Sequence, residues 1–351
     1  MATIRDVAQL AGVSTATVSH VLNNTRAVSD GSRDRVLAAM EQLNYRPNAV
    51  ARSLRVSETL TLGLIVPDVE IPFFARVARC IEAAANDIGY NVILCNSGWS
   101  LNQELLYLDN LLARRVDGLI CISLSMTSEH VAPMLKRHAP VVWFEQNRSG
   151  SRFDSVVIDN FKGAYEATAH LIAQGHRRIG CILGLAHSQL TVDRLAGYRQ
   201  ALEDNDLPFD EDLLCSGDYT PPTGLAGAYR LLNLPEPPSA IFAYNDMMAL
   251  GAMQAITERG LRVPEHIAVI GFDGIALTEH TCPPLSTVEQ PIPEMSRLAI
   301  SMLLDRINDR APIESRTVVV EPRLICRAST IGYSADADDR SLNSSTEAAL
   351  V

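Results

Sequence analysis

From Leu60 onward, short apolar runs alternate with helical stretches, and that alternation leaves few folds open to the chain. TLGLIVPD, NVILCNS, DGLICIS, PVVWFEQ and SVVID read as buried parallel strands, because their apolar residues run together instead of alternating with polar ones. Between them lie the helical stretches FARVARCIEAAANDIGY, NQELLYLDNLLARRV and EHVAPMLKRH. A second set begins near residue 160, with strands RRIGCILG, SAIFAYND and IAVIGFD and helices GAYEATAHLIAQG, LTVDRLAGYRQALEDN and MMALGAMQAITERG. The expectation is an α/β body of two doubly wound parallel-sheet subdomains in tandem.

Open α/β sheets bind ligands outside the carboxyl ends of their strands. Polar residues cluster at those ends: Asp68, Ser97, Ser123, Glu145 to Asn147 and Asp159 in the first half, and Asn245, Asp246 and Asp273 in the second. Two such edges facing each other make a cleft lined by carboxylates and amides. That lining suits a polyhydroxylated small molecule, whose hydroxyls both donate and accept hydrogen bonds. Asp246, at a helix start, is read as a cap and left out of the ligand set.

The first sixty residues follow a different pattern. Thr3 can cap a helix IRDVAQLA, with Asp6 favouring its positive N-terminal end. Gly12 stops that helix, and Ser14 caps a second, TATVSHVLN. Ala8, Gly12 and Val18 stand at offsets of four and six. A helix-turn-helix needs a small residue where the helices cross, a glycine in the turn, and an apolar residue to lock the second helix inward. On that second helix Val18, Val21 and Leu22 form the inward stripe. Thr15, Ala16, Thr17, Ser19 and His20 take the N-terminal and outer faces, where short hydroxyl and methyl groups can meet phosphates and base edges. A third helix runs from Ser29 or Asp30 through Leu43, with Val36, Leu37, Met40 and Leu43 on one face. The following NAVARSLR is too short to be a stable helix alone. Leu54 flanked by Arg52 and Arg55 suits an apolar wedge in a minor groove, although the segment also reads as a plain interdomain linker.

Charge supports this division. The 351 residues carry a net charge of −11, yet residues 1–56 hold seven arginines and four acids, +3, which leaves −14 on the remainder. A small basic head on an acidic body concentrates any nucleic-acid contact in the head. The N-terminus lacks the apolar core of an export signal and no run is long enough to span a membrane, so a cytoplasmic protein with no membrane partner is expected. The seven cysteines form no Cys-x-x-Cys pair, so neither a zinc site nor a disulfide framework is indicated, and most are expected to be buried. No phosphate loop, dinucleotide fingerprint, nucleophile elbow or paired-histidine motif occurs. Neither catalytic residues nor a cofactor nor a metal is expected. A solute-binding protein without DNA function is the alternative the body alone would permit.

The run TIRDVAQLAGVSTATVSHVLN, continued by LNYRPNAVARSLR, resembles the lactose-repressor (LacI/GalR) family, closest to its purine-repressor branch. The resemblance extends from about residue 60 to 333 through IDNFKGAYEATAHLIAQGHRRIG, DRLAGYRQAL, YNDMMALGA, GLRVPEHIAVIGFD and PPLSTVEQP. It implies a transcriptional repressor that binds a palindromic operator in double-stranded DNA as a homodimer, under the control of a small-molecule effector, a sugar or sugar acid. The implied DNA-binding residues are Thr3, Ser14, Thr15, Ala16, Thr17, His20, Asn23, Tyr45, Asn48, Arg52, Leu54 and Arg55. Ala16 stands where the purine repressor has Thr. The implied effector-binding residues are Phe73, Ser123, Glu145, Asp159, Arg194, Tyr219, Asn245 and Asp273. Glu145-Gln146 replaces an Asp-Arg pair common in the family. The implied body is periplasmic-binding-protein-like.

The expected domains are a helix-turn-helix at 1–46, a hinge or linker at 47–58, and an effector-binding and dimerisation domain at 59–333. Within the last, one subdomain takes about 59–159 and 288–320, and the other about 160–287 and 321–333. The polar segment 334–351 reads as a disordered tail. It lacks the leucine heptads by which the lactose repressor forms tetramers, so a dimer is favoured.

Overall fold

The computed structural model describes residues 2–23, 26–45, 59–145, 153–186 and 188–332. The chain divides into two compact units, Met1–Thr59 and Leu60–Val351. The expected hinge 47–58 and tail 334–351 fall outside the described residues.

The first unit has three helices, α1 (Ile4–Ala11), α2 (Thr15–Asn23) and α3 (Asp30–Gln42). Thr3 and Asp6 form a capping box at the start of α1, and Gly12 closes it at φ +64°. Ser14 caps α2, its hydroxyl accepting from the Thr17 amide at 3.1 Å. Val7, Ala8, Ala11, Val18, Val21, Val36 and Ala39 form the shared core. Arg35 ties α3 to α1 by donating from Nε to the Ala11 carbonyl at 3.1 Å. Leu37 is corrected from the expected inward face: it is 50% exposed, and Ala39 takes the inward place beside Val36.

The second unit contains two six-stranded sheets. The first is built from β1 (Thr61–Val66), β2 (Asn91–Asn96), β3 (Gly118–Cys121), β4 (Val141–Phe144), β5 (Asp154–Ile158) and, from far along the chain, β11 (Thr317–Val320). Its spatial order is β11-β5-β4-β3-β1-β2, and every pairing is parallel. Helices α4 (Pro72–Asn86), α5 (Leu101–Ala113) and α6 (Ser128–Lys136) connect its first strands. The second sheet has the order β12-β10-β9-β8-β6-β7. Its strands are β6 (Ile179–Ile182), β7 (Leu214–Cys215), β8 (Ala240–Ala243), β9 (Ala268–Asp273), β10 (Ser286–Glu289) and β12 (Arg323–Ile325), the last antiparallel to β10. Its helices are α7 (Asn160–Ala173), α8 (Gln189–Glu203), α9 (Pro221–Leu232) and α10 (Asp246–Glu258).

The chain returns to the first half through α11 (Ile292–Ile307), which buries Ile292, Met295, Ala299 and Leu303 in the core under the first sheet. The return therefore begins after Glu289 and not at 288, because Val288 and Glu289 pair with Phe272 and Asp273 in the second sheet. Asp154 anchors the crossover: its buried carboxylate accepts from Arg306 and Arg316 at 2.7 Å each. NVILCNS is also corrected. As β2 it is an edge strand with Asn91, Leu94 and Asn96 exposed, since only β1 pairs with it. Four of the seven cysteines are buried, Cys80 is half-buried, and Cys282 and Cys326 are exposed. Among the described residues, no helix is long and apolar enough to cross a membrane.

Candidate functional site

Two surfaces carry the chemistry expected from the sequence, one in each unit. In the first unit the core pins α2 by Val18 and Val21, which leaves Ser14, Thr15 and Ala16 exposed at its N-terminal end. Thr17 and His20 are half-buried beside them. The Thr17 and Ser14 hydroxyls lie 2.9 Å apart, so both short polar groups are held in place by the cap. Thr3 is exposed and spends its hydroxyl on Asp6 at 2.9 Å. Tyr45 packs half-buried against the helical core. Asn23 is the last residue of α2. Asn48, Arg52, Leu54 and Arg55 lie outside the described residues.

In the second unit a cavity opens where strand ends of the two sheets converge. Six of the eight expected effector residues line it: Phe73, Glu145, Arg194, Tyr219, Asn245 and Asp273. Each is placed by local structure. Pro72 starts α4 and sets Phe73 in its first turn. Glu145 follows β4 and Asp273 ends β9, both with positive φ. Asn245 is the N-cap of α10, accepting from the Met248 amide at 2.9 Å and donating to the Tyr219 carbonyl at 3.0 Å. Arg194 projects from α8 into a wholly built setting. Its Nε donates to Asn160 Oδ1 at 2.7 Å, its Nη1 donates to the Tyr244 carbonyl, and its guanidinium lies 3.6 Å over the Phe272 ring.

The electrostatics are acidic. Burial pushes the Glu145 carboxyl up to about 7, against the pull of Arg194 and of the Ile158 amide, which donates to Oε1 at 3.0 Å. Burial likewise pushes Asp273 up to about 7, against Arg194 and the Gln290 amide that donates to Oδ1 at 2.9 Å. Asp246 lies behind this wall, fully buried. It accepts from Thr287 Oγ1 at 2.6 Å and from the Ile275 amide at 2.8 Å, and burial and Asp273 hold its carboxyl well above the usual range. The helix cap is thus Asn245, while Asp246 braces β9 against β10.

Two expected effector residues are not among those that line the cavity. Ser123 is fully buried, donating to Glu104 Oε2 at 2.7 Å and accepting from the Met126 amide at 2.8 Å, so it shapes the turn after β3. Asp159 is the N-cap of α7, accepting from the Lys162 amide at 2.8 Å. Of the lining residues outside the expected effector set, three add aromatic or amide chemistry. Trp99 sits in the turn after β2, with Tyr219 near-parallel to it at 6.5 Å between ring centroids and 12° between planes. Phe74 meets Trp99 edge-on at 5.7 Å. Gln290 follows β10, a strand not recognised in the sequence, and its place just beyond TVE was the available signal. Among the described residues no group of His, Cys, Asp and Glu is arranged to hold a metal ion.

Residues 3–48 match the family described as bacterial regulatory proteins, lacI family, and residues 168–330 match a periplasmic binding protein-like domain. The HTH-type transcriptional repressor PurR of Proteus mirabilis (strain HI4320) is 41% identical over 332 residues, which cover 94% of this chain and 97% of that protein. Among solved structures, the transcriptional regulator CelR–cellobiose complex is 33% identical with a TM-score of 0.71, covering 94% of this chain and all of that one. The lac repressor dimer bound to operator and the anti-inducer ONPF is 30% identical with a TM-score of 0.83, covering 94% of this chain and 99% of that one.

Proposed function

The chain belongs to the lacI family of bacterial regulatory proteins, and from that premise we propose that it is a transcriptional repressor that binds operator DNA as a dimer and is controlled by a small-molecule effector. The observation that carries this reading is the pairing, in one chain, of a capped helix-turn-helix with a polar cavity between two doubly wound sheets. The body alone would serve a solute-binding protein. The head has no use there.

In this reading α2 enters the major groove, with Ser14, Thr15, Ala16, Thr17, His20 and Asn23 toward phosphates and base edges. Thr3 and Tyr45 flank it on the backbone. Asn48, Arg52, Leu54 and Arg55 extend the contact into the minor groove, where Leu54 acts as the wedge. The effector occupies the cavity against Phe73, Glu145, Arg194, Tyr219, Asn245 and Asp273. Its class is a hydroxyl-rich polar metabolite of the sugar kind, because the lining supplies carboxylates, amides and a guanidinium between aromatic walls. Effector and operator influence each other through the differential affinity of two states of the dimer.

Selection of fragmented genomic DNA by the purified full chain tests this. Retained fragments are then titrated by fluorescence anisotropy at two salt concentrations. The expected outcome is enrichment of a palindrome bound with strong salt dependence, as phosphate contacts require. Leu54→Ala is expected to weaken that binding severalfold. Association with no preference for any fragment would refute the function, and full affinity in Leu54→Ala would refute the wedge.

A further inference from the structure

We infer that the effector carries a protonated amine on a hydroxyl-rich skeleton, the chemistry of an amino sugar, and that Glu145 and Asp273 receive its ammonium group. The inference rests on the reading that the cavity is the effector site, and it narrows the ligand class within that reading.

The first observation is an excess of buried acceptors on residues that line the cavity. Glu145 is 4% exposed and Gln290 1%. Glu145 Oε1 accepts from the Ile158 amide and the Asn160 side chain steadies the carboxyl, but Oε2 has no partner in hydrogen-bond geometry. Gln290 spends its amide nitrogen on Asp273, and its Oε1 likewise has no partner. A buried acceptor without a donor costs about 1–3 kcal/mol, so two on one wall favour a ligand that donates. Arg194 does not meet this need from within, because it is committed to Asn160, to the Tyr244 carbonyl and to the Phe272 face.

The second observation is charge. The groups facing one another here are Glu145, Asp273 and Arg194 on the lining, with Asp246 behind Asp273. Asp246 is satisfied by Thr287 and Ile275 and belongs to the frame. That leaves two lining carboxylates for one guanidinium. A ligand carboxylate would add another negative charge to a buried acidic site, which is costly at low dielectric. This weighs against the acid half of the sugar or sugar-acid expectation. An ammonium group would take the place of the proton that Glu145 and Asp273 otherwise hold near neutrality.

The third observation is the aromatic wall. Trp99, Tyr219 and Phe74 converge on the same cavity. Their faces attract cations and pack against the C–H faces of a saturated ring.

One consequence distinguishes an amine from a neutral polyol. With Glu145 and Asp273 both raised to about 7, the empty site holds a proton near neutrality. An ammonium group expels that proton on binding and a neutral polyol does not. Amine affinity therefore rises with pH below 7, by at most about tenfold per pH unit for one proton released.

Isothermal titration of the full-length protein tests this with matched sets: glucosamine, glucose and gluconate, then galactosamine, galactose and galactonate, then mannosamine, mannose and mannonate. Measurements run at pH 5.5 and 7.0, in two buffers of different ionisation enthalpy. The expected result is an amine at least about tenfold tighter than its neutral partner, tighter at pH 7.0 than at 5.5, with proton release visible as a buffer-dependent heat. Glu145→Gln is expected to shrink the gap between amine and neutral sugar severalfold while leaving the circular dichroism unchanged. A neutral or acidic member that binds as tightly as its amine overturns the inference and leaves the cavity reading standing, as does binding by none of the amines. Failure of the cavity reading itself looks different: whichever compound binds would bind equally well to Arg194→Met.

Discussion

The DNA-binding head is held together by seven small or medium side chains, so single core methyl groups should matter there more than anywhere else in the chain. Val18 is wholly buried in that cluster, which it shares with Ala8 and Ala11 of α1 and Val36 of α3. Val18→Ala removes two methylene equivalents. Transfer accounts for about 1.6 kcal/mol at 0.8 kcal/mol each. A residual void of about 40 Å³ adds about 1 kcal/mol at 24 cal/mol per Å³. The sum is about 2.5 kcal/mol. A unit of about fifty residues unfolds with an entropy of about 0.1 kcal/mol/K and a total stability of about 3–8 kcal/mol. The head's thermal midpoint should therefore fall by about 25 °C.

Leu37→Ala is the matched control, because Leu37 lies on α3 in the same head but is half exposed. Its loss should cost about 1 kcal/mol, a shift of about 10 °C by the same conversion. Scanning calorimetry of the full chain reads both variants against the transition of the second unit, which neither should move. Operator binding by anisotropy should fail at a lower temperature for Val18→Ala, while effector binding persists. An equal or larger shift for Leu37→Ala would refute the packing argument, and so would a Val18→Ala shift under about 5 °C.

Three further outcomes follow from the same structure. Asp154→Ala should destabilise the second unit by about 3 kcal/mol in denaturant titration, because Arg306 and Arg316 lose their shared buried partner. In the absence of effector, the second unit should lose stability as pH rises from about 4.5 to 7. Glu145 keeps its proton in the folded state up to about 7, whereas the unfolded chain has already released it. The slope should be flatter in Glu145→Gln when thermal midpoints are compared across that range. Ala16→Thr should change which operator bases are preferred in a binding-site selection, by about 1–3 kcal/mol at the affected base pair, without moving the head's thermal midpoint, since residue 16 is exposed.

Legibility in the sequence tracked how local each determinant is. The capping box of Thr3 and Asp6, the left-handed Gly12 and the Ser14 cap are decided within four residues, and all could be read directly. Leu37 could not be placed, because a stripe of three-and-four spacing does not say which of two neighbouring positions sits over the partner helix. The fully buried central strands showed themselves by continuous apolar runs, and the edge strand β2 looked the same until the topology gave it one neighbour instead of two. Helix α9 was missed because PPTGLAGAYR carries two prolines and two glycines, the ordinary marks of a loop. In the fold those glycines are packing devices. A Cβ on Gly224 would overlap the Met248 carbonyl oxygen of α10, and a Cβ on Gly251 of α10 would overlap the Pro221 carbonyl oxygen of α9. Two helices that approach this closely need glycine at their crossing, and only the partner's position reveals it.

The site divides along the same line. A polar residue at a strand's carboxyl end can face the ligand or brace its own turn, and the sequence does not say which. Ser123 and Asp159 have local partners, a buried Glu104 in one case and the first turn of α7 in the other, and those partners absorb them. Glu145 and Gln290 each retain an acceptor that nothing local fills. Trp99 becomes a wall only because β2 and the turn before α9 arrive on opposite sides of one cavity. What distinguishes a ligand contact here is therefore a hydrogen-bonding capacity left over after the fold has taken its share. That quantity requires every partner's position, and so it appears in the structure and not in the residue order.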